Sequence, residues 1–406
     1  MHRWIAPVLI TPLLSACVAQ EPLNDPEQPY PLPHPPEVGD ILHLPTGYYV
    51  ERDTLLQHAS EVRVVYVGET HDNPASHRLQ LEILEYLQSR HPGRAALAME
   101  MFTPDQQPVL DRWSRGELKE KEFLKEVRWF ETWRMDFGYY RPLLEFAREN
   151  RIPVVGLNAP SSRVDALARS APEDLPPEIR EQLPELDFSD PYQRALVDAI
   201  YGAHAHGRRM REGFLRVQTL WDESMAANLA RFLQSPTGRD RRVVVAAGGN
   251  HVRFGFGIPR RLFRRLPVSY LLVGTKEIEI PDAKQDRVMD VAMPRFPMVP
   301  YHFVVFTRYE DLPETGVKLG VHLEEAERCV GVHAVVPGSA GERAGLRAGD
   351  RLCRLDRIEL NDAFDLVYEL QQRRPGDTAV LVVERDGETL ELSVEFAGSG
   401  TSPKDE

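Results

Sequence analysis

Cysteine is scarce in this chain, with three among 406 residues, at positions 17, 329 and 353. That excludes a disulfide framework as the basis of the fold, and a chain of this length buries a core of its own. Positive charge is also short: 49 Lys and Arg stand against 62 Asp and Glu, a formal net charge of -13. The balance argues against a nucleic-acid role, because the runs Arg208-Arg209 and Arg260 to Arg265 are local, and a solvated helix face is the expected reading of the latter. The mostly apolar stretch Ile5 to Leu14 is too short to cross a bilayer as a helix. No His-Glu-x-x-His motif is present, and His71 and His77 are not spaced to share one helix face.

What is present begins with a leader. His2 and Arg3 precede the apolar stretch, and Leu14-Ser15-Ala16-Cys17 closes it. The small residues before Cys17 suit a signal peptidase, and the cysteine there resembles the lipobox of bacterial lipoproteins. The resemblance implies a signal peptide over residues 1–16, lipidation of Cys17 and a membrane anchor. Val18 stands where such lipoproteins carry aspartate when kept in the inner membrane, so the outer membrane, facing the periplasm, is expected. Seven prolines between Pro22 and Pro36 then read as a tether, assigned to 17–46.

The main body, 47–309, alternates apolar strands with helical patterns. Val62 to Val67, Ala95 to Met99, Ile152 to Leu157, Val243 to Ala247 and Val268 to Val273 read as strands of an α/β, parallel-sheet, doubly wound domain with helical insertions. Glu69, His71, Glu100, Asn158 and His251 all fall at or just past strand carboxyl ends, which is where such sheets hold ligands. Two insertions follow the same logic. One carries Trp113, Phe123, Trp129, Phe130, Trp133, Phe137, Tyr139 and Tyr140, the other His204, His206, Met210, Trp221 and Met225. Aromatic residues at helical spacing serve either as a lid with an apolar underside or as ordinary core, and the sequence leaves both open.

Val67-Gly68-Glu69-Thr70-His71, Met99-Glu100, and Gly249-Asn250-His251 followed by Gly257-Ile258-Pro259 resemble the ChaN-like haem-binding lipoproteins. That family belongs to a superfamily shared with the Tiki proteases and erythromycin esterases. The resemblance implies haem as cofactor, a tyrosine as iron ligand and, in some members, a homodimer sharing stacked haems. Tyr139 and Tyr140 are the candidate phenols; His71, His77 and His251 are further candidate ligands, and Arg253 is a partner for a propionate or for Glu69.

The hydrolytic branches use the same positions. In that reading Glu69 or Glu100 activates water, while His71 and His251 donate a proton or hold a divalent metal. The amides of Gly248-Gly249 are the candidate oxyanion donors.

Beyond Tyr309 the pattern turns to short strands. The run Pro337-Gly338-Ser339-Ala340-Gly341 through Ala348-Gly349-Asp350 is similar to the PDZ domains of bacterial periplasmic proteins, and the likeness covers 315–396, with residues 397–406 as a disordered tail. It implies that Leu319-Gly320-Val321 holds a terminal carboxylate, that the helix bearing Phe364 and Val367 forms the other wall, and that a protein or peptide with an apolar terminal side chain is the partner. Cys329 and Cys353 fall at strand-like positions of this module, either paired or as buried thiols.

The preferred expectation is an envelope protein that binds haem for uptake or handling and recruits a partner through its last domain. An esterase or metallopeptidase using the same cleft is the alternative, and an envelope scaffold a third.

Overall fold

The computed structural model describes residues 29–396 except 204–207, 288–290, 292, 313–315 and 325. The leader, Cys17, His204 and His206 lie outside the described residues.

Eight described strands make the body's sheet: β1 (Ile41–His43), β2 (Tyr48–Tyr49), β3 (Val64–Glu69), β4 (Ala95–Met99), β5 (Val154–Gly156), β6 (Arg242–Gly248), β7 (Tyr270–Glu279) and β8 (Phe303–Arg308), in the order β2-β1-β8-β7-β3-β6-β4-β5. The run from β8 to β5 is parallel. β1 and β2 are antiparallel, so the sheet is mixed rather than the purely parallel one expected. The correction has a local cause: Leu42 is 1% exposed and pairs with Val304, so chain expected to be tether up to residue 46 folds back over the β8 edge.

Helices cover both faces. Described in chain order, they are α1 (Arg52–Glu61), α2 (Pro74–Arg90), α3 (Gln107–Ser114), α4 (Glu120–Glu126), α5 (Trp129–Thr132), α6 (Arg141–Glu149), α7 (Ser161–Arg169), α8 (Pro177–Arg180), α9 (Pro191–Ala203), α10 (Arg208–Gln234), α11 (Gly249–Val252) and α12 (Ile258–Arg265). The strand period of two sorts the core. Val65 and Val67 of β3 join Leu79, Ile83 and Leu87 of α2, while Val64 and Tyr66 join Met225 and Leu229 of α10 and Leu262 of α12. Each such aliphatic side chain, fully closed to water, contributes about 1.5–3 kcal/mol.

The expectation of a solvated helix face for Arg260 to Arg265 holds only in part. Glu223 of α10 is wholly buried and takes Arg261 at 3.2 Å, Arg264 at 3.1 Å and Arg265 at 2.7 Å, so Arg261 is turned inward and its neighbours reach in to the same carboxylate, while Arg260 stays exposed.

The C-terminal domain is antiparallel, with β9 (Val321–Glu324), β10 (Val330–Val335), β11 (Arg351–Leu355), β12 (Ile358–Glu359), β13 (Thr378–Arg385) and β14 (Glu388–Glu395) ordered β14-β13-β11-β10-β9 and β12 on β11. Its helices are α13 (Ala340–Arg343) and α14 (Ala363–Gln371). Cys329 and Cys353 are bonded, which ties the start of β10 to β11.

Candidate functional site

A cleft of about 1210 Å³ opens at the carboxyl ends of β3, β4 and β6, and Glu69, His71, Glu100, Asn158 and His251 all line it. β7 and β8 run on past the end of β3, so Thr275, Lys276 and Glu277 make one wall. Its size exceeds the roughly 300–1,000 Å³ usual for small-molecule pockets.

Glu69 closes β3 beside Gly248 of β6. Its side chain is shut off from water, yet it is surrounded by donors. His71 Nδ1 stands 2.7 Å from Oε1, the Tyr140 hydroxyl donates to the same oxygen at 2.9 Å, and Gln80 Nε2 donates to Oε2. His77 Nδ1 lies 3.5 Å from Oε2 while its Nε2 contacts the His71 carbonyl at 2.9 Å. Burial pushes the carboxyl up, but the field of His77 and the bonds from His71 and Gln80 outweigh it and hold Glu69 below its ordinary value. The local sequence makes this arrangement: Asn73 caps α2 by accepting from the Ala75 amide, Pro74 takes the first turn, and the helix so started sets His77 and Gln80 beneath Glu69.

The second array is built on β4, α10 and α11. His251 Nδ1 is 2.7 Å from Asp222 Oδ1, and its Nε2 is 3.5 Å from Glu100 Oε1. Glu100 Oε2 accepts from the Gly248 amide at 2.7 Å, and Asp222 Oδ2 accepts from Gln193 at 2.7 Å. Burial alone would lower His251, but Glu100 and Asp222 raise it to about 10. Burial would likewise lower His71, which the Glu69 bond and the Glu100 charge bring to about 9. Glu100, pushed up by burial, is drawn down to about 2 by His251, His71 and the Gly248 amide. The neighbouring carboxylates thus favour the protonated form of both imidazoles, and His251 has a carboxylate facing each ring nitrogen. Among the described residues, the donor atoms that gather as for a metal are those of Cys329, Cys353 and Glu384, where the two sulfurs are already spent on each other. His71 and His251 belong to no such group.

Several expected cofactor residues are elsewhere. Tyr140 is fully buried and committed to Glu69, His77 is 4% exposed beneath the same carboxylate, and Tyr139 is half-buried against the core, with its ring 5.8 Å from His77. None of these three lines the cleft, whereas Arg253 does. The aromatic insertion is mainly core, for Trp113, Phe123, Trp129 and Phe137 are 0% exposed; Trp133 alone of that set reaches the cleft, edge-on to His71 at 5.2 Å. Ile200, Phe214, Trp221, Val291 and Met293 add the apolar lining, and Lys276 and Arg295 join Arg253 as cations.

Tyr301 and Tyr309 were not anticipated. Tyr309 donates to Asp72 at 2.5 Å. Tyr301 lies across Gly68, Gly249 and Gly274, where an added Cβ would meet its hydroxyl at 3.2 Å at Gly68 and Gly249 and its ring at 2.5 Å at Gly274. Gly68 near the end of β3 and Gly274 within β7 were the available signal.

In the C-terminal domain β9 is the sheet's edge and is open to another strand. The Leu319 carbonyl accepts from Gly341 at 2.7 Å and that of Gly320 from Val336 at 2.9 Å. Since a trans peptide sets its N–H opposite its carbonyl, these inward oxygens turn the amides of Gly320 and Val321 outward. Gly320 has φ +73°, and a Cβ there would meet Ser339 at 2.2 Å, so the loop requires glycine. Val367 is half-exposed on α14, but Phe364, expected beside it on the groove wall, faces the body, its ring 5.4 Å from that of Phe130.

Residues 55–262 match the family model described as haem-binding uptake, Tiki superfamily, ChaN. The chain belongs to that ChaN family. Residues 317–396 match the PDZ domain, so the protein is a ChaN-like haem-binding domain followed by a PDZ domain. A solved structure titled as cofacial heme binding to ChaN of Campylobacter jejuni is 18% identical, covers 68% of this chain and 98% of that one, and has a TM-score of 0.51. It supports the ChaN-like fold. An HtrA-type protease AlgW with a decapeptide is 22% identical over 21% of this chain and 30% of its own, with a TM-score of 0.20. A serine endoprotease from Yersinia pestis is 18% identical over 21% and 30%, with a TM-score of 0.19. Among the described residues, no helix is long and apolar enough to cross a membrane.

Proposed function

We propose that this chain is a haem-binding protein of the bacterial envelope, anchored through Cys17, that handles haem for uptake and recruits a protein partner through its PDZ domain. The observation that carries the reading is the mixed lining of the cleft, where Ile200, Phe214, Trp221, Val291 and Met293 offer apolar surface to a ring and Arg253, Lys276 and Arg295 offer cations to its carboxylates. The donor chemistry fits ferric haem through phenols rather than imidazoles. Tyr301 and Tyr309 bring phenolic oxygens to the lining, and phenolate is a hard anionic donor, whereas both ring nitrogens of His251 face carboxylates. Haem, when bound, supplies the iron and the redox chemistry. The protein's part is to exclude water from the ring, pair the carboxylates and fix the orientation. Outer-membrane placement and a shared-haem homodimer follow the family resemblance.

Titrating the full-length protein with ferric haem tests this. Saturable uptake near one or two haems per chain is expected, with the ligand band moved by Tyr301→Phe or Tyr309→Phe and left in place by Tyr139→Phe and Tyr140→Phe. Weak, unsaturable uptake unchanged by all four overturns it.

One observation favours the hydrolytic alternative: His251 stands between Asp222 and Glu100, and Glu100 also holds the Gly248 amide, a connected acid-base array at the cleft floor. Turnover of ester or amide substrates lost in both Glu100→Gln and Asp222→Asn, with the fold intact, would favour that reading over haem handling.

A further inference from the structure

α14 has three faces, and each is used differently. Leu366 and Leu370 enter the PDZ core, Ala363 and Val367, four residues apart, are left exposed and half-exposed, and Phe364, Asp365, Tyr368 and Glu369 meet the body. That contact is made by α4 and α5. Phe130 packs on Phe364 at 5.4 Å; Lys121 is 3.3 Å from Asp365 and 3.1 Å from Glu369; Lys125 is 2.8 Å from Asp362. Lys121 and Lys125 also stand over the rings of Tyr368 and Phe364.

The far side of α5 reaches the cleft. Trp129 lies against Tyr140, the donor to Glu69, and Trp133, directly after the helix, is edge-on to His71 and lines the cleft. α5 is bounded by two non-glycine residues in the left-handed region, Arg128 at φ 53° and Arg134 at φ 66°. The second of these closes the helix in the usual left-handed way, its amide donating to the Trp129 carbonyl at 3.2 Å. α5 is thus a single short turn whose two sides meet α14 and the cleft lining.

We infer that the PDZ groove and the cleft are coupled through α14 and α5, so that a partner presenting an apolar carboxyl-terminal residue at the groove alters the affinity of the cleft for its ligand. A peptide added beside β9 packs against Ala363 and Val367 and bears on α14. The helix is held on its other side by Phe130, Lys121 and Lys125, and a shift there is carried along α5 to Trp133 and the roof over His71. Linkage then requires the cleft ligand to change peptide affinity by the same factor. The inference rests on the haem reading for the identity of that ligand.

The test uses the full-length protein, a fluorescent decapeptide ending in leucine, and ferric haem. Peptide affinity measured with and without saturating haem is expected to differ by about 5-fold or more, and haem affinity with and without peptide by the same factor. Phe364→Ser with Tyr368→Ser, or, should that pair misfold, Lys121→Ser with Lys125→Ser, keeps each separate affinity and removes the shift. Equal affinities in the unaltered protein, a shift that survives both double variants, or failure of the peptide to bind overturns the coupling. If haem alone does not bind, the haem reading has failed by itself; the coupling is then decided by hydrogen exchange over residues 129–134, where peptide is expected to change protection and an unchanged pattern overturns it.

Discussion

Tyr140 donates its phenolic hydrogen to Oε1 of Glu69 over 2.9 Å, and neither side chain is open to solvent. Burial and the Glu69 charge drive the Tyr140 pKa well above its ordinary value, which favours the phenol as the donor of this bond. Glu69, His71 and Tyr140 therefore form one unit that spans β3 and the aromatic insertion. Tyr140→Phe removes one donor from a buried carboxylate and is expected to cost about 1.5–3 kcal/mol in denaturant unfolding, the range for hydrogen bonds to charged groups. Haem uptake is expected to survive, because Tyr140 is outside the cleft lining.

The histidines give stability a defined pH slope. In the folded chain His71 is raised to about 9 and His251 to about 10, against roughly 6.5 for an unfolded histidine. A raised group binds more protons folded than unfolded, so its contribution is fully present below about pH 6.5 and is lost as pH rises through 9 to 10. Urea midpoints taken at pH 6, 8 and 10 are expected to fall along that series, and Asp222→Asn, which removes the carboxylate nearest His251, is expected to flatten the fall. An unchanged slope in that variant would contradict the assignment.

Glu223 offers the largest single effect. Its carboxylate is 0% exposed and neutralises Arg261, itself 3% exposed, together with Arg264 and Arg265. Glu223→Gln preserves shape but leaves a buried guanidinium without its counter-charge, a change that costs about 3–5 kcal/mol. Calorimetry is expected to show the loss in the transition of the body.

The disulfide between Cys329 and Cys353 closes a loop of sequence separation 24. The chain-entropy model assigns such a loop about 3 kcal/mol. Cys329→Ser with Cys353→Ser, or reduction of the native protein, is expected to lower the unfolding free energy of the PDZ domain by that much. Hydrogen exchange resolved by domain separates this from any change in the body.

Glu69, Glu100 and His251 were legible in the sequence because each follows an apolar run, and parallel strands bring their carboxyl ends to one edge whatever lies between them. Tyr301 was not, because it lies in the irregular segment before β8, and its place is set by glycines on β3, α11 and β7 that are brought together only by folding. β1 was hidden for another reason: three residues after a proline-rich stretch carry no periodicity, and its register depends on β8. The inward turn of Arg261 depends on a glutamate in α10, and the direction of Phe364 on a contact between domains, so local pattern spoke for neither. Charge runs and helix faces read alone default to solvent, which is where these two expectations fell short.

Gly274→Ala tests whether the floor of the cleft is set by Tyr301. An alanine methyl at this position would meet the Tyr301 ring at 2.5 Å, closer than van der Waals contact permits, and the strand carrying it is anchored to β3 at Gly68 and to β8 at Val304. The strand therefore holds while the ring moves. Overpacking of this kind costs about 1–3 kcal/mol, and the displaced phenol leaves its place against Gly68 and Gly249. If Tyr301 is the donor that ferric haem uses, the variant loses the ligand band while circular dichroism remains that of the folded protein. Gly93→Ala is the control, for φ +72° strains an added side chain there as well, while no atom stands within 4 Å of its Cβ. It is expected to lose stability and keep the spectrum, so a band lost in both variants would trace the effect to general destabilisation rather than to the position of Tyr301.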